Sequence, residues 1–102
     1  MLEIKIVSDV ISYDDICNFI EFNDFNSWRD KIREEQSEFN EEDDKFSKVV
    51  FYDDDLLKNE IIEFVEYLAS WLTRGVIITA EADWGSIKVT KTLNGHILSE
   101  IQ

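Results

Sequence analysis

The chain has 102 residues, which is enough for one domain with a single hydrophobic core, and we expect residues 1–102 to form it. It carries 23 Asp and Glu against 10 Lys and Arg, a net charge of −13, which excludes ordinary binding to nucleic acids or anionic membranes because both depend on positive charge. Hydrophobic residues make up 44% of the chain, so we expect the acidic residues to cover a folded domain.

The first third of the chain predicts one strand followed by two helices. Apolar and charged side chains alternate over residues 2–6, which is the period of a half-buried strand. Ser12, with Asp15 three residues later, resembles a capping box at the start of the first helix. Residues 25–37 have large apolar side chains at helical spacing and predict the second helix.

The middle of the chain predicts an exposed connection, a strand and a long helix. Residues 38–44 are almost wholly polar, whereas residues 46–52 are aromatic and β-branched and predict a strand. The acids at 53–55 are expected to cap the helix that follows, since helix N-termini favour negative charge. Apolar residues then recur at steps of three and four as far as Leu72, and Gly75 suits the left-handed position after a helix.

Three short strands are predicted to complete the chain, at residues 76–82, 86–92 and 96–101. The pair Asn94-Gly95 between the last two strands is a strong signal for a type I′ hairpin turn. The resulting order β-α-α-β-α-β-β-β predicts an α+β fold, in which helices pack on one face of a mostly antiparallel, curved sheet.

Residue types that carry catalysis or bind metals are scarce in this chain. His96 is the only histidine and Cys17 the only cysteine, and nothing in the sequence pairs them as base and nucleophile. One residue of each kind cannot complete a zinc site, and the acidic runs lack the alternating oxygen ligands of an EF-hand. We therefore expect a protein that is not an enzyme and that uses no cofactor and no metal. A single cysteine and the absence of an export signal favour the cytoplasm.

The acidic residues are concentrated in residues 34–66, which hold thirteen acids against three lysines. Carboxylates fixed on a folded domain can imitate the phosphates of a duplex, so we expect a basic partner to contact this block. The predicted contact acids are Glu34, Glu35, Glu38, Glu41, Glu42, Asp43, Asp44, Asp53, Asp54, Asp55, Glu60, Glu63 and Glu66. Tyr67 and Trp84 are added as aromatic anchors, Trp84 because a large ring in a tight turn is often exposed.

In composition, a small acidic domain without a catalytic set resembles the DNA-mimic inhibitors of phages and other mobile elements. These proteins block restriction enzymes, CRISPR effectors or other nucleic-acid-binding proteins by occupying a basic groove. The resemblance implies a stoichiometric inhibitor of a basic protein, without direct binding to nucleic acid or membrane. Two alternatives stay open: an immunity protein that neutralises a cognate toxin nuclease, and a host regulatory or adaptor domain whose acidic face keeps it soluble. The sequence leaves the oligomeric state open.

Overall fold

One antiparallel sheet and two α-helices form the main body of the structure, a computed structural model that describes residues 1–40, 45–52 and 55–102. The strands are β1 (Leu2–Val7), β2 (Ile11–Ser12), β3 (Glu38–Asn40), β4 (Lys45–Phe51), β5 (Ile77–Ala82), β6 (Gly85–Lys91) and β7 (Ile97–Ile101). The α-helices are α1 (Tyr13–Phe22) and α2 (Lys58–Trp71), and two 3₁₀-helices lie between α1 and β3, at Asn26–Lys31 and Glu34–Gln36. The predicted α+β class, with helices on one face of a mostly antiparallel sheet, is confirmed.

The register of the sheet aligns apolar side chains of β1, β4 and β5 on the face toward the core, whereas Val50 of β4 is buried outside that core cluster. The strand order is β2-β4-β1-β5-β6-β7, and β3 also pairs with β4. Leu2 lies opposite Phe51, and Ile4 lies between Val49 of β4 and Ala80 of β5. All five of these side chains are buried. Because side chains alternate along a strand, the charged residues between them project from the opposite face.

The core between sheet and helices is rich in aromatic rings. Phe64 of α2 meets Phe19 of α1 edge to face, with 5.2 Å between ring centroids, and it stacks on Trp28 of the first 3₁₀-helix at 3.8 Å. Phe51 of β4 packs edge-on against both Trp28 and Phe64. Such aromatic pairs contribute about 0.5–1.5 kcal/mol each beyond the burial of their area. They hold together the helical segments, residues 13–37 and 55–75, which we call the helix layer.

Several local predictions are confirmed. The Ser12 Oγ accepts a hydrogen bond from the Asp15 N–H at 3.0 Å, as the cap of α1 requires. The five predicted strands correspond to β1, β4, β5, β6 and β7 with ends that differ by one residue at most. Gly75 has the predicted positive φ, +90°, but it does not cap α2, which ends at Trp71 with Leu72 in the C-cap position.

The hairpin between β6 and β7 differs from the predicted type. A type I′ turn needs positive φ at both central residues, but of Asn94 and Gly95 only the glycine has it, at +87°. The turn is longer than two residues, since the Thr92 N–H donates to the His96 carbonyl at 2.8 Å. The Thr92 side chain completes it by accepting from the His96 N–H at 3.0 Å.

The prediction of an α-helix over residues 25–37 is wrong. This segment forms the two 3₁₀-helices, and between them Ile32 makes a bridge to Phe51. The Arg33 N–H donates to the Val50 carbonyl at 2.8 Å, so the backbone leaves the helical path to pair with the end of β4. Hydrogen bonds to a distant strand thus override a local apolar spacing that favours a helix.

The predictions for the two acidic connections are corrected in part. Of residues 38–44, the first three form β3, and 41–44 lie outside the described residues. The acids at 53–55 do not supply the cap of α2, because the helix begins at Lys58 with Leu57 in the cap position. Glu60 takes over the capping role by accepting from the Leu57 N–H at 3.4 Å. Asp53 and Asp54 lie outside the described residues.

Candidate functional site

Negative charge is concentrated on the helix layer. Residues 13–37 and 55–75 hold eleven acids and five basic residues. The other described segments, residues 1–12, 38–40, 45–52 and 76–102, hold six acids and five basic residues, and we call them the sheet side. Within the described ranges no charged side chain is buried, so this imbalance lies at the surface. The helix layer therefore presents a negative surface, whereas the described sheet side is close to neutral.

Three predicted acids of the helix layer have carboxylates with no hydrogen bond or ion pair to another described residue. They are Glu34 and Glu35, in the second 3₁₀-helix, and Glu63, in α2, and all three are exposed. Glu34 and Glu35 line a surface cavity of about 410 Å³ together with Tyr13 and Phe46. These carboxylates are not neutralised within the described part of the molecule, so they are available to a partner.

Tyr13 adds a phenol side chain to this cavity. Charge on Cys17 and a hydrogen bond to its side chain raise the pKa of Tyr13, with smaller contributions from burial and from the Glu34 carboxylate. The phenol therefore stays neutral at physiological pH. Cys17 is half-buried in α1 and follows the buried Ile16.

Three other predicted acids bind within the molecule. The Asp55 carboxylate accepts from the Lys31 ammonium at 2.8 Å, and this hydrogen bond holds the pKa of Asp55 below its usual range. Glu66 accepts from the Ser99 hydroxyl of β7 at 2.7 Å, and Glu60 serves the cap of α2. These contacts fix the carboxylates in place, but they also occupy part of their hydrogen-bonding capacity.

The remaining predicted acids are one residue of the sheet side and six residues outside the described ranges. Glu38 lies on β3, where its carboxylate is 4.0 Å from the Lys48 ammonium of the mixed-charge sheet surface. Glu41, Glu42, Asp43, Asp44, Asp53 and Asp54 lie outside the described residues, so their part in a site stays a prediction.

Trp84 is less exposed than its place in a tight turn suggested. Its ring is half-buried and packs against the core. Lys58, at the start of α2, places its ammonium 5.1 Å from the ring centroid. The indole Nε1 is buried and has no hydrogen-bond partner in the described part of the chain. The turn thus directs the ring toward the start of α2, and a role as partner anchor stays a prediction.

An exposed aromatic patch lies where α1 and α2 meet. It consists of Phe22, Tyr67 and Trp71, whose exposed fractions are 78%, 47% and 43%. The ring centroids of Phe22 and Trp71 are 5.9 Å apart, and the three rings line a surface cavity of about 340 Å³ with Asn23 and Ser70. Clusters of exposed aromatic rings are typical of protein interfaces.

Of this aromatic patch, only Tyr67 was predicted as a partner contact. Trp71 continues the apolar spacing of α2, which predicts a core position, but it lies at the edge of the buried stripe. Phe22 carried the clearer signal, because it falls off the face that buries Ile16, Phe19 and Ile20. A large aromatic residue on the polar side of an amphipathic helix indicates an exposed ring.

The described residues on the opposite face of the sheet carry both charges. Its cavity of about 420 Å³ is lined by residues of both charges, and Glu3 pairs with Lys48 at 3.4 Å. No group of three or more His, Cys, Asp or Glu residues that could hold a metal occurs among the residues the structure describes. No helix in these ranges is long and apolar enough to cross a membrane.

Comparisons with protein-family models, with curated proteins and with solved structures gave no match. A function for this chain is therefore argued from its own charge distribution and surface geometry.

Proposed function

We propose that this protein is a non-enzymatic, stoichiometric inhibitor that binds a basic nucleic-acid-binding protein in the cytoplasm. In this proposal the helix layer occupies the partner's nucleic-acid groove in place of DNA or RNA, as anti-restriction and anti-CRISPR proteins of phages and mobile elements do. The observation that supports it is the distribution of charge among the described residues, with eleven acids against five basic residues on the helix layer and six against five on the described sheet side. A surface of this kind directs a negative potential to one side of the molecule.

The positions of the free carboxylates support imitation of a phosphate backbone. Glu34 and Glu35 follow the 3₁₀-helix that Trp28 fixes to Phe64, and Glu63 precedes Phe64 in α2. Their charges are thus attached to elements that the core holds in place. A DNA duplex carries about one phosphate charge per 1.7 Å of its axis, and a partner binds it with lysine and arginine side chains. The same side chains can pair with carboxylates in place of phosphates. Association would be steered by opposite charge and would therefore be fast and sensitive to salt.

The size of the net charge favours this proposal over a merely solubilising role. A small domain remains soluble with a net charge of magnitude about 2 to 8. This chain carries −13, and concentrated like charge destabilises the folded state through self-repulsion. A basic partner that neutralises the helix layer would remove that repulsion and gain binding free energy from it.

Competition with nucleic acid tests the proposal. The partner is first isolated by affinity capture on this protein at low ionic strength and eluted with rising salt, and its affinity is then measured with purified components. Because one set of Lys and Arg side chains cannot pair with phosphates and carboxylates together, the partner's own DNA or RNA should raise the apparent Kd in proportion to its concentration. The reciprocal titration should show the same coupling. A ternary complex in sedimentation at moderate salt would overturn groove mimicry and favour an immunity-type inhibitor.

Two triple variants with the same change in net charge distinguish the contribution of the helix-layer acids to affinity from the contribution of net charge. The first, E34K/E35K/E63K, reverses the three free carboxylates of the helix layer. The control, E81K/D83K/E100K, reverses three exposed acids of the sheet side. The first variant should lose tenfold or more in affinity, because favourable pairs become like-charge pairs, while the control should change it by roughly threefold or less. Equal losses in the two variants would refute the assignment of the helix layer.

A further inference from the structure

The aromatic patch is a surface of aromatic rings that no basic side chain of the described chain covers. Elsewhere the protein covers such rings itself: the Arg33 guanidinium carbon lies 4.5 Å from the Tyr52 ring centroid, and the Lys58 ammonium lies 5.1 Å from that of Trp84. No described Lys or Arg lies over Phe22, Tyr67 or Trp71 in this way. Aromatic faces attract cations, most strongly when the cation is partly removed from water.

The polar residues of the patch cavity present hydrogen-bond acceptors. The Asn23 side-chain amide donates to the Phe19 carbonyl at 3.0 Å, which leaves its Oδ1 free to accept. The Ser70 hydroxyl donates to the Glu66 carbonyl at 3.2 Å, which leaves lone pairs on its Oγ. Both residues line the cavity with the three rings. The site therefore offers aromatic faces and oxygen acceptors, and it suits a ligand that is flat, cationic and rich in donors.

We propose that the aromatic patch binds an arginine side chain of the basic partner, an inference that rests on the proposed function and extends it. Arginine has a planar guanidinium group with five N–H donors and no acceptor, and it stacks on aromatic faces. Lysine carries the same charge as a compact, strongly hydrated ammonium and gains less from such a surface. The acids of the surface attract lysine and arginine alike. The aromatic patch would make the surface bind arginine more tightly than lysine.

The charge around the patch selects a cationic occupant. Glu63, Tyr67 and Trp71 follow one another at steps of four in α2, so they lie along one side of that helix. Glu21, next to Phe22, is also exposed, but its carboxylate already pairs with the Arg29 guanidinium at 3.7 Å. A second copy of this chain would bring a further charge of −13 against these carboxylates, which disfavours self-association. A neutral apolar segment would leave the Glu63 carboxylate without a partner.

Two peptides of equal charge test this proposal without knowledge of the partner. Acetylated, amidated hexa-arginine and hexa-lysine are titrated into the wild-type protein and into two variants by calorimetry at low salt. Phe22→Ala removes the most exposed ring of the patch. Leu93→Ala is the matched control, because Leu93 is also 78% exposed but lies on the sheet side. Circular dichroism confirms that each variant is folded.

The wild-type protein should bind hexa-arginine about threefold to tenfold more tightly than hexa-lysine. Phe22→Ala should bring this ratio close to one and leave the affinity for hexa-lysine nearly unchanged, while Leu93→Ala should keep the ratio. In NMR titrations the indole N–H signal of Trp71 should shift more with hexa-arginine than with hexa-lysine.

The outcomes separate this inference from the proposed function. If Phe22→Ala keeps the wild-type ratio, the patch does not select arginine and the inference is overturned. The acidic helix layer would still stand in that case, provided that both peptides bind less tightly to E34K/E35K/E63K than to its control. If neither peptide binds the wild-type protein at low salt, the inference and the electrostatic basis of the proposed function both fail.

Discussion

The indole of Trp28 stacks on the ring of Phe64, with 3.8 Å between the ring centroids and 5° between the ring planes. Trp28 belongs to the first 3₁₀-helix and is only 2% exposed, and Phe64 lies at the centre of α2 and is fully buried. This contact joins the segment that leads to Glu34 and Glu35 to the helix that carries Glu63. The relative positions of the free carboxylates therefore depend on the stack.

Replacing Trp28 by Ala should lower the free energy of unfolding by about 3–5 kcal/mol, as large aromatic truncations in a core do. Trp28→Phe keeps a ring against Phe64 and should cost clearly less. Urea denaturation followed by circular dichroism measures both variants. A cost of less than about 1 kcal/mol for Trp28→Ala would show that the first 3₁₀-helix does not depend on this stack for its position.

The N-cap of α1 supports a second prediction. Ser12→Ala removes the acceptor for the Asp15 N–H and should destabilise the protein by about 1 kcal/mol. Ser12→Asp is the control, because an aspartate at this position can accept the same hydrogen bond and also interacts favourably with the helix dipole. Thermal unfolding of the two variants should therefore give different values of Tm. Equal losses would point to the pairing of Ser12 with Lys45 in the sheet, and not to the cap.

The hydrogen bonds that Asp9 accepts lead us to expect that the stability of the protein depends on pH. Burial raises the pKa of Asp9, but hydrogen bonds from the Thr73 N–H, the Val10 N–H and the Thr73 hydroxyl, together with the charge of Lys45, outweigh it and lower the pKa overall. These bonds are 3.0, 2.8 and 2.9 Å long. A carboxyl with a lowered pKa in the folded state stabilises the protein above its unfolded pKa, and this contribution is lost as the pH falls through the folded pKa.

Asp9→Asn should therefore lower the free energy of unfolding by on the order of 1 kcal/mol near neutral pH. At this pH the charged carboxylate accepts these hydrogen bonds, and solvent partly screens their strength. The difference from wild type should shrink as the pH falls from about 7 to about 2, because the wild-type carboxylate becomes protonated as the pH falls through the lowered pKa of the folded state. Urea unfolding at both pH values measures this. Asp83→Asn, at an exposed site with no hydrogen bond to its side chain in the described ranges, serves as the control. A constant difference across the pH range would contradict the assigned role of Asp9.

The sequence predicts those elements whose determinants are local. The cap of α1 depends on residues three apart, and β1 depends on an alternation that is read within six residues. Residues 25–37 were predicted wrongly because the decisive contacts are distant. The Tyr52 N–H bonds to the Lys31 carbonyl and the Arg33 N–H to the Val50 carbonyl, and neither interaction leaves a trace in the local pattern.

The candidate site was predictable in charge but not in detail. The excess of acids is a property of composition, whereas the contacts that occupy Glu66 and Asp55 come from β7 and from Lys31, both far away in the chain. The aromatic patch is another case, since Phe22 and Trp71 come together only where α1 and α2 meet. Single residues at helix edges cannot be assigned to a surface until the packing of the helices is known.

From the acidic surface we expect salt to have opposite effects on folding and on binding: it should stabilise the folded protein and weaken the complex. The molecule measures 33 × 33 × 23 Å, so at about 0.01 M ionic strength the Debye length of roughly 30 Å spans it, and at about 0.15 M the length of roughly 8 Å does not. Rising salt should therefore screen the self-repulsion of the −13 charge and raise Tm, and it should weaken the complex with a basic partner.

Thermal unfolding and partner affinity, both measured between these two ionic strengths, test this pair of effects. E34K/E35K/E63K should flatten both salt dependences, because it reduces the repulsion within the helix layer and removes the pairs with the partner. The control E81K/D83K/E100K should reduce the salt dependence of Tm through its equal change in net charge, but it should keep the salt dependence of binding. If the affinity of the wild-type complex did not change with salt, the complex would depend on apolar contacts, and the helix-layer acids would contribute solubility alone.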